Sequence, residues 1–361
     1  MKVGIITFNR AINYGAVLQS YALKNKIVSL GHKCEILNYC CKEVEKVASP
    51  FYIKSKSPKD ILIFLMQIGM RITKNKKFRR FAENYLDVSD KVLTSENIGE
   101  YTKDFDLLIT GSDQVWNYEI TGLDENYFLK FAGKNTKTAS YAASFGVSEI
   151  PDEYKEKYKE LLSNIQVISV REEAGYKLVN ELVGREAEIS IDPVFLPERE
   201  QWKKITAPIQ DSEDYILVYS INKADCYKIA EKVSERTGLK IVGLQTPMSN
   251  TVKCKAIRKE SPEEFLSWLS NAKYIITDSF HGTAFSIIFN KQFVLCGGGE
   301  GTHRLSRQQT LLEKTGLTNR VCDLTSFEKL YEQIDYAQVN EKVAKLRKFA
   351  TDYLDSLLER N

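Results

Sequence analysis

A chain of 361 residues is longer than one hydrophobic core usually organises and suits two domains of roughly 150–200 residues each. Hydrophobic residues at 43% and charged residues at 27% describe a globular protein, and a formal net charge of +3 gives no electrostatic case for nucleic acid. Seven cysteines, odd in number and without CxxC spacing, fit neither a disulfide framework nor a zinc site and read as buried thiols of a reducing compartment.

Met1-Lys2 leads straight into a buried strand over 2–8, too soon for a signal peptide, and no run approaches about 18 apolar residues. The expected location is therefore the cytoplasm, with the inner face of the membrane as a second option. A helix is predicted from about 17 to 30, stopped by Gly31, and a second strand over 34–39. This β-loop-α-β opening is Rossmann-like, but its loop has one glycine and lacks the GxGxxG fingerprint, so a nicotinamide cofactor is not supported. Asn13, Tyr14 and Gly15 in that loop either offer donors at the sheet's carboxyl edge or simply turn the chain.

Residues 44–99 change character. The segment is locally basic and carries two amphipathic patterns, 61–70 and 78–85, which read as a helical insertion off the sheet. Its charge suits a solvated face; contact with an anionic membrane surface or a diphosphate-bearing acceptor is the alternative.

The sheet resumes at 106–110, followed by Gly111-Ser112-Asp113-Gln114-Val115-Trp116-Asn117. Glycine lets the backbone turn closely, and hydroxyl, carboxylate, amide and a flat apolar ring then suit a carbohydrate. Trp116 could equally fill the core. A strand over 138–146 ends in small residues including Ser144, a polar helix covers 152–162, and Arg171 closes the strand 167–172. A helix over 174–182 and a strand over 189–195 complete the first half. Four strand ends thus carry polar clusters on one edge.

Residues 197–214, with Pro197 and Pro208, read as a linker. A second α/β series follows: strand 215–220, helix 226–237, strand 240–244. Ser261-Pro262-Glu263-Glu264 has the form of a capping box with proline at the first helical position. The strand 274–277 then breaks at Asp278-Ser279, and an apolar helical pattern restarts after Gly282-Thr283. His281, one of three histidines, stands at the break. A helix start there would present N–H groups to an anion, beside a side chain able to change charge near neutral pH. A strand over 293–296, the loop Gly297-Gly298-Gly299-Glu300-Gly301 with Arg304 and Arg307 behind it, and a long terminal helix over 336–359 complete the chain.

The fold class expected is α/β, with two Rossmann-like domains facing a cleft: 1–196 on the acceptor side, 213–335 on the donor side, and a helix at 336–361 packing back on the first. No His, Asp or Glu cluster has metal-ligand spacing, and no cofactor is called for.

Several stretches together resemble the polysaccharide pyruvyl transferase family: Gly111 to Asn117, Ser140-Tyr141-Ala142-Ala143-Ser144-Phe145-Gly146, Ile168-Ser169-Val170-Arg171-Glu172 and Asp278-Ser279-Phe280-His281-Gly282. The resemblance runs from residue 1 to about 320 and implies a fold like that of GT-B glycosyltransferases. It also implies transfer of a pyruvyl group from phosphoenolpyruvate to sugar hydroxyls of a cell-surface polysaccharide or its lipid-linked precursor, as a ketal. On this reading His281 and Arg171 are catalytic. Ser279, Gly282, Thr283, Arg304 and Arg307 face the donor. Asn13, Tyr14, Gly15, Ser112, Asp113, Gln114, Trp116 and Ser144 face the acceptor. One position departs from the family pattern: Ser279 stands where well-studied members carry an arginine that holds phosphoenolpyruvate, and Arg304 or Arg307 would have to replace that charge. The alternatives are a glycosyltransferase with a nucleotide-sugar donor, and a non-catalytic sugar- or phosphate-binding protein.

Overall fold

The computed structural model describes residues 1–359 apart from Lys54, Lys56, Gln210, Ser212, 221–223, Met248 and 298–304. The chain separates into two compact units, Met1–Leu196 together with Lys345–Asn361, and Pro197–Ala344.

In chain order the first unit holds β1 (Lys2–Ile6), α1 (Tyr14–Ser29), β2 (Lys33–Ile36), α2 (Lys42–Ala48), α3 (Pro58–Tyr85), α4 (Ile98–Thr102) and β3 (Leu107–Thr110). It continues with α5 (Tyr118–Thr121), β4 (Lys137–Ser140), α6 (Asp152–Leu162), β5 (Ser169–Val170), α7 (Glu173–Val183) and β6 (Glu188–Ile189). Four strands pair in parallel in the order β2-β1-β3-β4, and bridges from Ala139 to Val167 and Ala143 to Val170 carry the sheet on to the β5-β6 pair. Val3, Ile5, Leu107, Leu108 and Ile109 are all fully buried. Such unbroken apolar runs are what a parallel sheet covered on both faces requires. The register Ile6 to Thr110 to Ser140 leaves the carboxyl ends of β1, β3 and β4 level.

Several boundaries differ from the sequence reading for identifiable reasons. Helix α1 begins at Tyr14, not 17, because Asn13 caps it: its Oδ1 accepts from the Ala16 N–H at 3.2 Å. The two short helices expected at 61–70 and 78–85 are one helix of 28 residues. Nothing between them breaks a helix, and Lys74 in the intervening turns lies 4.7 Å over the Tyr14 ring. The strand expected over 189–195 pairs only at Glu188–Ile189. Asp192 then turns the chain, its Oδ1 accepting from the Val194 N–H at 3.0 Å to start a 3-10 turn.

The second unit contains α8 (Arg199–Lys204), β7 (Tyr215–Tyr219), α9 (Ala224–Thr237), β8 (Lys240–Leu244), β9 (Lys255–Ile257), α10 (Pro262–Asn271) and β10 (Tyr274–Thr277). α11 (Phe280–Ile288), β11 (Gln292–Cys296), α12 (Ser306–Thr315) and β12 (Val321–Cys322) follow. All six strands are parallel, ordered β12-β11-β10-β7-β8-β9. The supposed linker contains α8, whose buried Trp202 sits edge-on against Phe285 at 5.1 Å. Helix α10 starts as its sequence anticipates. Ser261 Oγ accepts from the Glu264 N–H at 3.2 Å and the Ser261 N–H donates to Glu264 Oε2 at 2.6 Å. Such a box contributes about 1 kcal/mol.

The last helix, α13 (Tyr336–Leu358), leaves the second unit and from Lys345 onward belongs to the first. Arg347 Nε donates to the Phe195 carbonyl at 2.7 Å and Tyr353 Oη to the Ser140 carbonyl at 2.9 Å. None of the described helices is long and apolar enough to cross a membrane.

Each strand order reverses direction once. In the first unit the chain passes from β1 outward to β2 and returns to β3 on the other side; in the second it leaves β7 for β8 and β9 and returns to β10. The crevice beyond the carboxyl ends at such a reversal is where open α/β sheets bind ligands.

Candidate functional site

At the reversal of the first unit, the segment after β3 is held tightly to β1. Thr7 Oγ1 donates to the Ser112 carbonyl at 3.0 Å, and the buried Gln19 accepts from the Ser112 N–H through Oε1 at 3.2 Å while donating to Thr7 Oγ1 at 2.7 Å. Gly111 is obligatory here. Its φ is +107°, and a Cβ would lie 2.5 Å from the Tyr141 carbonyl oxygen.

Beside it lies a buried charge network. Arg171 Nη1 meets Asp192 Oδ2 at 2.7 Å, Nη2 meets Asp113 Oδ1 at 3.5 Å, and Nε lies 3.8 Å from Glu172 Oε2. The four side chains are 1%, 0%, 9% and 1% exposed for Arg171, Asp192, Asp113 and Glu172. Ser112 Oγ donates to the Ala142 carbonyl at 2.8 Å and to Asp192 at 3.2 Å, and Ser144 Oγ donates to Glu172 at 2.7 Å. Burial by itself pulls the guanidinium's pKa down, but the fields of Asp192, Asp113 and Glu172 outweigh it and the pKa is raised.

These positions correct much of the expected acceptor set. Trp116 is fully buried, stacked on Phe128 with centroids 5.6 Å apart, and its Nε1 donates to the Tyr127 carbonyl at 3.1 Å. It has no face to offer a sugar. Tyr14 is likewise buried, against Phe78 at 5.1 Å, and Gly15 lies inside the first turn of α1. Ser112 and Ser144 spend their hydroxyls inside the network. Arg171 does not present its charge outward: an incoming phosphate would meet three carboxylates around one guanidinium. It therefore acts as the post on which three strand ends are tied, not as an anion clamp. Asn13 is exposed, Gln114 is partly exposed, and Asp113 retains a 9% exposed carboxylate.

In the second unit the reversal joins β7 to β10. Ser220 Oγ, just past β7, donates to Asp278 Oδ2 at 3.0 Å, and Thr277 Oγ1 donates to the Tyr219 carbonyl at 2.6 Å. Ser279 is the N-cap of α11, its Oγ accepting from the Gly282 N–H at 3.3 Å. The helix starts two residues before Gly282, so His281 occupies its first turn and is 7% exposed, with its ring edge-on to Phe280 at 5.1 Å. Gly282 is fixed by packing: a Cβ there would lie 2.3 Å from Thr277 Oγ1, so only glycine lets the helix start lean on β10. Thr283 is buried with Oγ1 donating back to the Ser279 carbonyl at 3.0 Å. Gln308 Nε2 donates to the Asp278 carbonyl at 3.3 Å, which brings the first turn of α12, with the partly exposed Arg307, against the end of β10. Arg304 and Gly298 to Gly301 lie outside the described residues.

Ser220, Asp278 and Gln308 were missed as site residues. The strand-end rule that singled out Ser279 and His281 applies equally to Ser220 and Asp278. Gln308 carries no such signal, because its placement depends on α12 folding back to β10. Among the described residues, no group of three or more His, Cys, Asp or Glu side chains is arranged to hold a metal ion.

Two parallel α/β units with polar clusters at their strand-order reversals define a two-Rossmann-domain protein of the GT-B type. The chain resembles in fold a protein assigned as UDP-N-acetylglucosamine 2-epimerase from Listeria monocytogenes, at 11% identity with a TM-score of 0.50, covering 98% of this chain and 94% of that one. Also similar are UDP-GlcNAc 2-epimerase from Neisseria meningitidis (12% identity, TM-score 0.49, 100% of both chains) and AviGT4, a glycosyltransferase of avilamycin A biosynthesis (11%, 0.48, 99% and 97%). No curated protein matches the sequence significantly. The family model for polysaccharide pyruvyl transferase matches residues 13–299, and the chain belongs to that family.

Proposed function

We propose that this protein transfers a pyruvyl group from phosphoenolpyruvate to two hydroxyls of one sugar in a cell-surface polysaccharide or its lipid-linked precursor, forming a cyclic ketal. The observation that carries the reading is His281 in the first turn of α11, at the strand-order reversal of the second unit and three residues after Asp278. Phosphoenolpyruvate brings a carboxylate and a phosphate, and a helix start favours such anions through its N–H groups and dipole. Arg307, in the first turn of α12, is the residue that on this reading adds positive charge. Arg304 is the other candidate from the sequence.

The chemistry needs a proton delivered to the methylene carbon while a sugar hydroxyl adds to the central carbon and gives its own proton to the base so formed. Phosphate then leaves, and a second hydroxyl closes the ring and gives up its proton. His281 serves as the acid and base in these steps, a role typically worth about 10²–10⁴ in rate. On the acceptor side, the exposed Asn13 and the partly exposed Gln114 meet sugar hydroxyls.

The test is phosphate release from phosphoenolpyruvate in the presence of lipid-linked or free glycans. His281→Ala should lower the rate by about 10²–10⁴-fold with an unchanged melting temperature. Near-normal turnover would end the assignment of His281. Ser279, in place of the family arginine, is the observation that favours a different donor. Stabilisation by nucleotide sugars and not by phosphoenolpyruvate in a thermal-shift panel would transfer the reading to a glycosyltransferase. Stabilisation by free sugars alone would point to a binding protein.

A further inference from the structure

The insertion that carries α3 plays no part in either strand-end cluster, yet it concentrates two properties. Residues 42–80 contain eleven Lys or Arg against three Asp or Glu, a net +8, while the whole chain is only +3, so the remaining residues sum to −5. Among the described residues, seven of the eleven exposed large hydrophobic side chains fall between positions 47 and 66. Single exposed apolar residues are ordinary, but a contiguous patch marks a binding surface.

Helical geometry arranges these side chains. Ile61, Leu62, Leu65 and Met66 are 40%, 60%, 62% and 63% exposed, and their spacing puts them on one stripe of α3. The same stripe continues through Gly69 and Thr73 to the exposed Lys76, Arg79 and Arg80. Its opposite side is taken up: Asn75 Nδ2 donates to the Ala48 carbonyl at 2.9 Å, and Arg71 Nη1 to the Tyr52 carbonyl at 2.7 Å. The exposed stripe is therefore apolar along its first half and basic along its second.

The direction of the helix matters as much. Tyr14 meets Phe78, and Tyr21 further down α1 meets Phe81 and Tyr85, so the two helices run parallel. Because α1 starts at the carboxyl edge of the sheet, the part of α3 before Phe78 projects beyond that edge. At 1.5 Å per residue, Leu62 reaches about 24 Å past the level of Tyr14.

We propose that this stripe of α3 docks the protein on the surface of an anionic lipid bilayer, with Leu62, Leu65 and Met66 entering the headgroup layer and the basic end of α3 meeting lipid phosphates. An amphipathic helix with cationic flanks lies in the interface in this way, and none of the described helices could span the bilayer instead. A second copy of the chain fits less well, since pairing would bring two segments of +8 together. Where the transferase reading holds, a protein held on a lipid surface in this way suits an acceptor glycan that is itself carried on lipid.

The experiment is co-sedimentation of the purified full-length protein with vesicles of phosphatidylcholine alone and with about 30% phosphatidylglycerol. Binding should require the anionic lipid and weaken with salt. The variant Leu62→Glu/Leu65→Glu/Met66→Glu and the variant Lys76→Glu/Arg79→Glu/Arg80→Glu should each lower partition on the order of 100-fold, with unchanged melting temperatures. The charge variant alters only exposed side chains, and so remains informative if the apolar one folds poorly. Wild-type protein remaining in the supernatant, or binding that neither variant reduces, overturns the proposal. So does a dimer in light scattering that the apolar variant dissolves while vesicles go unbound, which would assign the face to a second copy. Because the readout is partition onto lipid, failure here leaves the pyruvyl-transfer reading standing, and loss of turnover leaves the docking result standing.

Discussion

Replacing Arg171 by methionine separates the two roles the residue could have. The substitution keeps most of the side-chain volume and removes a charge that is 1% exposed and lies within 4 Å of Asp113, Asp192 and Glu172. At an effective dielectric near 20, unit charges about 4 Å apart attract by roughly 4 kcal/mol before the cost of desolvation. Desolvation consumes most of that gain, but removing one partner leaves the others buried and uncompensated, which costs about 3–5 kcal/mol. For a unit of this size the loss corresponds to a fall in melting temperature of about 6–20 °C. The damage should concentrate where the network ties Asp113 after β3 and Asp192 after β6 to the end of β5. Thermal melts and urea unfolding of the wild type, Arg171→Met and Arg171→Lys measure it, with lysine recovering part of the charge and not the fork. Phosphate release gives the contrast. A variant of wild-type stability that has lost turnover and raised KM for phosphoenolpyruvate would refute the structural role and restore Arg171 as a donor ligand.

Two further outcomes follow from local chemistry. Ser279→Ala removes the N-cap of α11 and should cost about 1 kcal/mol, or 2–4 °C in a thermal melt. Ser279→Arg should lose the same cap, so any gain in phosphoenolpyruvate turnover by that variant would show that the cap is dispensable and the charge is not. In the second unit, Lys240 and then Lys255 hydrogen-bond to the Asp211 carboxylate, whose pKa is lowered despite its burial. A lowered carboxyl pKa stabilises the fold fully above the unfolded value, about 3.9, and that stability is lost as the pH falls through the folded value. Asp211→Asn should therefore lower the melting temperature at pH 7 and flatten its decline below about pH 4; parallel curves for the two proteins would count against the linkage.

The sequence by itself determined the alternation of strands and helices, the parallel sheets it implies and the family. Those properties rest on local signals that need no partner: apolar runs for buried strands, glycine stops, the capping box at Ser261. The strand-end rule also located the clusters around Ser112 and His281. Side-chain direction was beyond its reach. Trp116 and Gln114 sit two residues apart in one polar-looking stretch, and only packing against Phe128 and Phe145 decided that the indole fills the core. Arg171 looked like a cation awaiting an anion because Asp113 and Asp192 are 58 and 21 residues away along the chain. Folding brought them together, and with them the charge was neutralised inside the protein. The continuity of α3 was decided in the same way, with Tyr14 lying beneath Lys74 and Phe78 where the intervening turns are polar. Local pattern therefore fixes the alternation of strands and helices, though not every boundary between them. Which polar groups face a ligand and which face one another depends on contacts between residues far apart in sequence, and those exist only once the strands are laid side by side.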